Sequence, residues 1–232
     1  MIKLDTSSHN TENMNKPYKA VLFDLDGTLA DNFTAIHHAC VHAMKGVGEQ
    51  PASYERVLRT VGGSIVVTME RLVGREKAPE GIRLFRDYMQ SNWSEGLVLL
   101  PGAHALVSTL HRRGVITAVF TNKDGRLARA ICEHLNINQY LALVIGEGDT
   151  PYRKPMPEFT RHLLGQLGME PSECCMIGDS PFDIQAAACV GMDSYVVATG
   201  SHTMDDLLKE KANGVYKAIP ALACGVFGLK SE

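Results

Sequence analysis

The chain has 232 residues, 45% of them apolar and 21% charged, with a formal net charge of −3. That composition is globular, and the length allows one large domain or a core with a small second one. It excludes the basic footprint of a nucleic-acid or anionic-membrane binder, and no apolar run approaches the ~18 residues of a membrane span.

Residues 1–17 are polar, lack the apolar core of a signal peptide and read as a disordered tail. The apolar run at 20–23 reads as a buried strand, which Asp24, Asp26 and then Gly27-Thr28 bring to a stop. Beyond it the apolar residues recur at threes and fours. Phe33, Ile36, Cys40, Val41 and Met44 mark an amphipathic helix that Gly46 and Gly48 end. Residues 54–61 and 65–73 repeat the pattern, stopped by Gly62-Gly63 and by Gly74, and 82–93 make a fourth helix. No convincing strand falls between about Asn32 and Val98, so this stretch reads as a helical insert.

From Leu100-Pro101-Gly102 onward strands and helices alternate. Strands are expected at 115–120, 141–145, 174–177, 195–198 and, weakly, 215–216. Helices are expected at 103–113, 127–135, 159–167, 184–190, 204–211, with Thr203 as N-cap, and 220–227. This predicts an α/β fold: a doubly wound parallel sheet, a Rossmann-like core, with a small helical cap domain inserted after the first strand. Residues 18–31 and 100–232 form the core and 32–99 the cap. The cysteines Cys40, Cys132, Cys174, Cys175, Cys189 and Cys224 form no C-x-x-C pair and suit buried, reduced thiols of a cytosolic protein.

The chemistry gathers where strands end, the edge at which open α/β sheets bind ligands. Asp24 and Asp26, two apart on an extended segment, point the same way. At an effective dielectric of ~20, charges ~4 Å apart repel by ~4 kcal/mol, so such a pair calls for a cation or a shared proton. The alternative is a solvated loop in which both are turn or cap residues. After the 115–120 strand, Thr121 and Asn122 offer a hydroxyl and backbone N–H groups for a phosphate, or simply cap a helix. Lys154 is held between rigid flanks by Pro155 and Pro157, or is an ordinary surface lysine. Asp179 and Asp183 follow the 174–177 strand, and Asp183 also suits a first-turn helix acid. A surplus of carboxylates with one cation invites a hard divalent metal, Mg²⁺.

In this order, Asp24-x-Asp26-Gly27-Thr28 after an apolar strand, Thr121-Asn122, Lys154 and Asp179 with Asp183 resemble the four motifs of the haloacid dehalogenase superfamily of phosphohydrolases. The resemblance covers about 20–198, and the whole chain looks most like the phosphoglycolate phosphatase-like group. It implies that Asp24 is the nucleophile, forming an aspartyl-phosphate, and Asp26 the general acid and then base. It implies Mg²⁺ held by Asp24, the carbonyl of Asp26 and Asp179, with Asp183 orienting that shell. Thr121 and the Asn122 backbone would hold phosphoryl oxygens, and Lys154 would neutralise Asp24 and the transferring group. The dehalogenase and phosphonate-cleaving branches lack a carboxylate at the Asp26 position, so a phosphate ester is expected as substrate. The insert takes the place of the family's mobile cap. Gly62-Gly63-Ser64 would face the site, with Gly63 touching substrate, or be an ordinary interhelical turn; Arg59, His37 and His38 are further contact candidates.

The expected protein is therefore a cytoplasmic, Mg²⁺-dependent phosphatase of a small phosphorylated metabolite, with no nucleic-acid or membrane partner and its oligomeric state open. The alternatives are a sugar phosphomutase, pyrophosphatase or nucleotidase of the same superfamily, or a catalytically idle binding module on this fold.

Overall fold

The computed structural model describes residues 18–229; the expected polar tail at 1–17 lies outside them. The strands are β1 (Ala20–Phe23), β2 (Ala30–Asp31), β3 (Val98–Leu99), β4 (Ile116–Asp124), β5 (Leu143–Glu147), β6 (Cys174–Gly178), β7 (Asp193–Val197) and β8 (Gly214–Tyr216). The helices are α1 (Phe33–Gly46), α2 (Tyr54–Leu58), α3 (Ile65–Asn92), α4 (Ala103–Arg112), α5 (Gly125–His134), α6 (Pro157–Leu167), α7 (Pro181–Ala188), α8 (Met204–Leu207) and α9 (Ile219–Phe227).

Six strands form one parallel sheet in the order β5-β4-β1-β6-β7-β8. By rank in that sheet this is 3-2-1-4-5-6, the doubly wound order whose reversal lies between β1 and β6. β1 is buried at every residue because both its faces are covered. Val21 and Phe23 pack with α4, α5 and α9, through residues such as Leu106, Ile131 and Leu222. Ala20 and Leu22 point the other way, onto Phe159 and Leu163 of α6 and Ala186 and Ala187 of α7. The period-2 alternation thus divides one short strand between two cores.

The insert holds its own core, in which Ile36, Cys40 and Met44 of α1 meet Met69, Leu72 and Val73 of α3. Gly74 interrupts α3 at φ 80, ψ 161, a conformation that disfavours any residue with a Cβ, so the two helices expected there are joined at a kink. The second half starts at once and carries Pro79.

At the foot of the insert, β2 and β3 form a two-residue antiparallel ribbon, pairing Ala30 with Leu99 and Asp31 with Val98. Two residues per strand are too few for a visible alternation, so the ribbon was not expected from the sequence. Other departures are local. β4 runs on past Phe120 to Asp124 with a register irregularity, and α8 is one turn rather than two. Cys189 and Cys224 are exposed, unlike the four buried cysteines: Cys189 caps the end of α7, and Cys224 lies on the outer face of α9. Among the described residues no helix is long and apolar enough to cross a membrane.

Candidate active site

Asp24 follows β1 directly, and its N–H donates to the Ile177 carbonyl of β6 at 2.8 Å, fixing the two strand ends side by side. Its carboxylate Oδ1 accepts from the Leu25 N–H at 2.8 Å and stands 3.1 Å from Lys154 Nζ. The next turn is tight: the N–H groups of Leu29 and Ala30 both donate to the Leu25 carbonyl at 2.9 Å. Asp26 lies inside that turn.

Lys154 is 2% exposed, the most deeply buried cation of the described residues. Its ammonium donates to Asp183 Oδ1 at 2.6 Å and to the Phe120 carbonyl at 2.9 Å, besides its contact with Asp24. The backbone of Lys154 is held as well. Its N–H donates to Asn122 Oδ1 at 2.7 Å and its carbonyl accepts from Asn122 Nδ2 at 3.1 Å, and a cis peptide links Lys154 to Pro155. The Asn122 side chain is therefore spent on anchoring the lysine loop, while Thr121, also buried, lines the same chamber.

Asp183 is fully buried at the first turn of α7. Its Oδ2 takes the N–H of Asp179 at 3.2 Å, the N–H of Ser180 at 3.0 Å and the Ser180 hydroxyl at 2.7 Å, closing a capping box. The residue serves as the first-turn helix acid expected of it, and Oδ1 is left to pair with Lys154. Asp179 accepts from the Ser201 N–H at 3.0 Å. Its carboxylate is wedged against Gly27 and Gly200, where a Cβ would collide with it.

Carboxylate oxygens of Asp24, Asp179 and Asp183 lie within 4.8 Å of one another. Burial raises the Asp24 carboxyl above its usual range; Lys154 opposes this and Asp183 adds to it. Burial pushes Asp179 up further, again with Asp183 and Asp24 adding to the effect. Burial alone would lower Lys154, but the charges of Asp183 and Asp24 outweigh it and hold the ammonium above its usual range. Three buried carboxylates thus crowd together with one ammonium, which pairs with two of them, Asp24 and Asp183. An all-oxygen donor set with excess negative charge fits a hard divalent cation such as Mg²⁺. All three carboxylates could contribute an oxygen, and Asp183 is the one with the most hydrogen bonds already made.

Sequence reasoning passed over two residues. Lys123 Nζ contacts both oxygens of Asp26, at 2.8 and 3.2 Å, and its side chain is only 7% exposed. Asn32, fully buried after β2, accepts from Lys123 Nζ at 3.1 Å and donates to the Trp93 carbonyl at 3.0 Å. A basic residue next to Thr121-Asn122 at a strand end was the available signal for Lys123; nothing local marks Asn32.

An inner chamber of about 40 Å³ is lined by Asp24, Asp26, Thr121, Asn122, Asp179 and Gly63, among others. It lies beside an outer cavity of about 520 Å³ between the insert and the sheet edge, which shares Asp26, Asn122, Lys123 and Gly63. Gly62-Gly63 does face the site. Arg59, His37 and His38 do not line either space: Arg59 pairs with Glu55 and Asp206, His37 Nε2 meets the Ala52 carbonyl at 3.3 Å, and His38 stands 3.0 Å from Glu95.

A family model described as haloacid dehalogenase-like hydrolase matches residues 21–197. The phosphoglycolate phosphatase of Chromobacterium violaceum is 30% identical over 193 residues, covering 80% of this chain and 87% of that protein. The tyrosine-protein kinase PtkA of Mycobacterium tuberculosis is 31% identical over 199 residues, which span 85% of this chain and 68% of that one. The crystal structure of a predicted phosphatase from Clostridium acetobutylicum matches with a TM-score of 0.85 at 24% identity, covering 91% of this chain and 99% of that chain. At that identity the likeness speaks for the fold alone.

Proposed function

This chain belongs to the haloacid dehalogenase-like hydrolases, and on that premise we propose that it is a Mg²⁺-dependent phosphomonoesterase working through an aspartyl-phosphate on Asp24. The observation that carries the reading is the convergence of the Asp24, Asp179 and Asp183 carboxylates within 4.8 Å at the ends of β1 and β6, with the buried Lys154 ammonium paired to Asp24 and Asp183. The relatives named phosphoglycolate phosphatase support the same reaction class.

The roles follow from what each group has left to do. Oδ1 of Asp24 is committed to the Leu25 N–H and Lys154, and the Thr121 hydroxyl also reaches this carboxylate; Oδ2 is the oxygen assigned to attack phosphorus in line. Lys154 offsets the charge of that carboxylate as it meets a phosphate dianion. Asp26 protonates the leaving alcohol and then takes a proton from water, with Lys123 fixing the plane of its carboxyl. Thr121 and the backbone beside it receive phosphoryl oxygens in the inner chamber. Asp24 and Asp179, with the Asp26 carbonyl, would hold Mg²⁺, and Asp183 would keep Lys154 and the α7 terminus in register with them. The bound ion supplies positive charge to the phosphoryl oxygens. Residues 32–99 act as a cap that excludes water from the site. The substrate is a small phosphorylated metabolite, and the setting is the cytoplasm, consistent with the four buried thiols.

The test is release of inorganic phosphate from a panel of phosphate monoesters, with Mg²⁺ and with excess EDTA, beside Asp24→Asn. Release that needs Mg²⁺ and is lost in the variant is expected. An Asp24→Asn protein as active as wild type would overturn the mechanism, and a sugar bisphosphate returned as an isomer without free phosphate would make the chain a mutase.

A further inference from the structure

The inner chamber has room for little more than a phosphoryl group, so whatever lies beyond the ester oxygen must occupy the outer cavity. Its volume of about 520 Å³ falls in the roughly 300–1,000 Å³ range of pockets that enclose drug-sized ligands. A two-carbon glycolate would leave most of it filled with water.

The walls are specific about what they accept. One stripe of the second half of α3 presents Phe85, Met89 and Trp93, spaced by four, and Ile65 and Leu127 face it. The Trp93 ring is itself fixed by an edge contact with His134, centroids 5.4 Å apart. Rigid aromatic and thioether surfaces favour flat or apolar groups.

The charges on the lining argue against a second anion. Arg86 stands 3.9 Å from Glu147, Arg126 3.7 Å from Asp124, and Lys123 is bound to Asp26. The one enclosed cation of the cavity, Lys123, is thus committed to Asp26, and Arg86 and Arg126 are exposed side chains that loosely face acids, so no enclosed cation is set aside for the carboxylate of phosphoglycolate. An apolar leaving group meets no such competition.

We infer that this site is built for phosphate monoesters whose alcohol carries an aromatic or extended apolar body, rather than for phosphoglycolate. The inference rests on the phosphatase reading above. The apolar body packs between α3 and the start of α5 while the phosphoryl group enters the inner chamber.

The test is kcat/KM, with Mg²⁺, for phosphoglycolate and for ethyl, butyl, hexyl and benzyl phosphate, primary alkyl esters of similar chemistry. Along the alkyl series kcat/KM should rise about fourfold per methylene that leaves water, the factor for burying one CH₂. Benzyl phosphate should exceed ethyl phosphate and phosphoglycolate at least thirtyfold. Phe85→Ala should cut the benzyl-to-ethyl ratio at least fivefold. Gln90→Trp, at an exposed position on the cavity rim, should cut it likewise without touching the core. A flat series, or phosphoglycolate as the best substrate, would overturn this inference and leave the phosphatase reading standing. No release from any ester would overturn both.

Discussion

Replacing Lys154 by methionine removes one charge from the centre of the site, together with the hydrogen bond to the Phe120 carbonyl. The side chains are similar in length, and the Lys154 ammonium lies 5.5 Å from the centre of the Phe120 ring, an apolar surface on which a thioether can rest. What is lost is electrostatic. At an effective dielectric of ~20, the contacts at 2.6 and 3.1 Å correspond to about 6 and 5 kcal/mol of attraction. Much of that is offset by the desolvation of the ammonium, and stripping one partner from a buried ion pair costs about 3–5 kcal/mol net. For a chain of 232 residues each kcal/mol moves Tm by about 2–4 °C, so Tm should fall about 6–20 °C in the absence of metal. The carboxylates left behind should bind Mg²⁺ more tightly, so Mg²⁺ should raise the Tm of the variant more than that of wild type. Phosphate release should drop at least hundredfold, the scale for losing one preorganised charge at a reacting centre. Circular dichroism melts with EDTA and with Mg²⁺ decide it. A metal-free Tm within 3 °C of wild type would refute the claim that Lys154 is what allows three carboxylates to be buried together.

Other expectations follow from single contacts. Gly200→Ala places a methyl group on the Asp179 carboxylate, so the Mg²⁺ concentration needed for half-maximal activity should rise at least tenfold. Asn122→Ala frees the Lys154 loop from two hydrogen bonds; urea unfolding should show a loss of about 1–3 kcal/mol, with kcat falling more than KM changes. In the native protein a thiol reagent should label Cys189 and Cys224 only. Burial pushes Cys40 and Cys132 up to about 12 and Cys174 up to about 11, and these should react only after unfolding.

The sheet was legible because its signals are local. A four-residue apolar run ending in Asp24 and Asp26 carries its own period and its own stop, and the strict alternation after Leu100 leaves one family of topologies. Asp24 and Asp179 stood out for the same reason: each is the first polar residue past a strand. Lys123 drew no reading from the sequence because its neighbours Asn32 and Trp93 are brought together from opposite ends of the insert. The outer cavity was equally invisible, since Phe85, Met89 and Trp93 read as core residues of an amphipathic helix until the sheet edge is placed opposite them. The misplaced contact candidates Arg59, His37 and His38 show the converse. Polar residues near the site in sequence were satisfied instead by neighbours on their own helices and by Asp206, Ala52 and Glu95.

The ribbon of β2 and β3 changes how the insert should be regarded. The chain leaves the sheet through Ala30 and returns through Leu99, its partner, and the Leu100 N–H donates to the Leu29 carbonyl at 2.9 Å. Exit and entry therefore coincide. To the rest of the molecule everything between them is the tip of a hairpin, and loop-closure entropy grows only slowly with the length of such a tip. Helices can be lengthened, shortened or exchanged there without moving β1 against β4, provided that Asn32 and Trp93 at its foot still hold Lys123 on Asp26. The ribbon is in that sense a socket: a single two-residue pairing fixes where any such insert is plugged into the sheet.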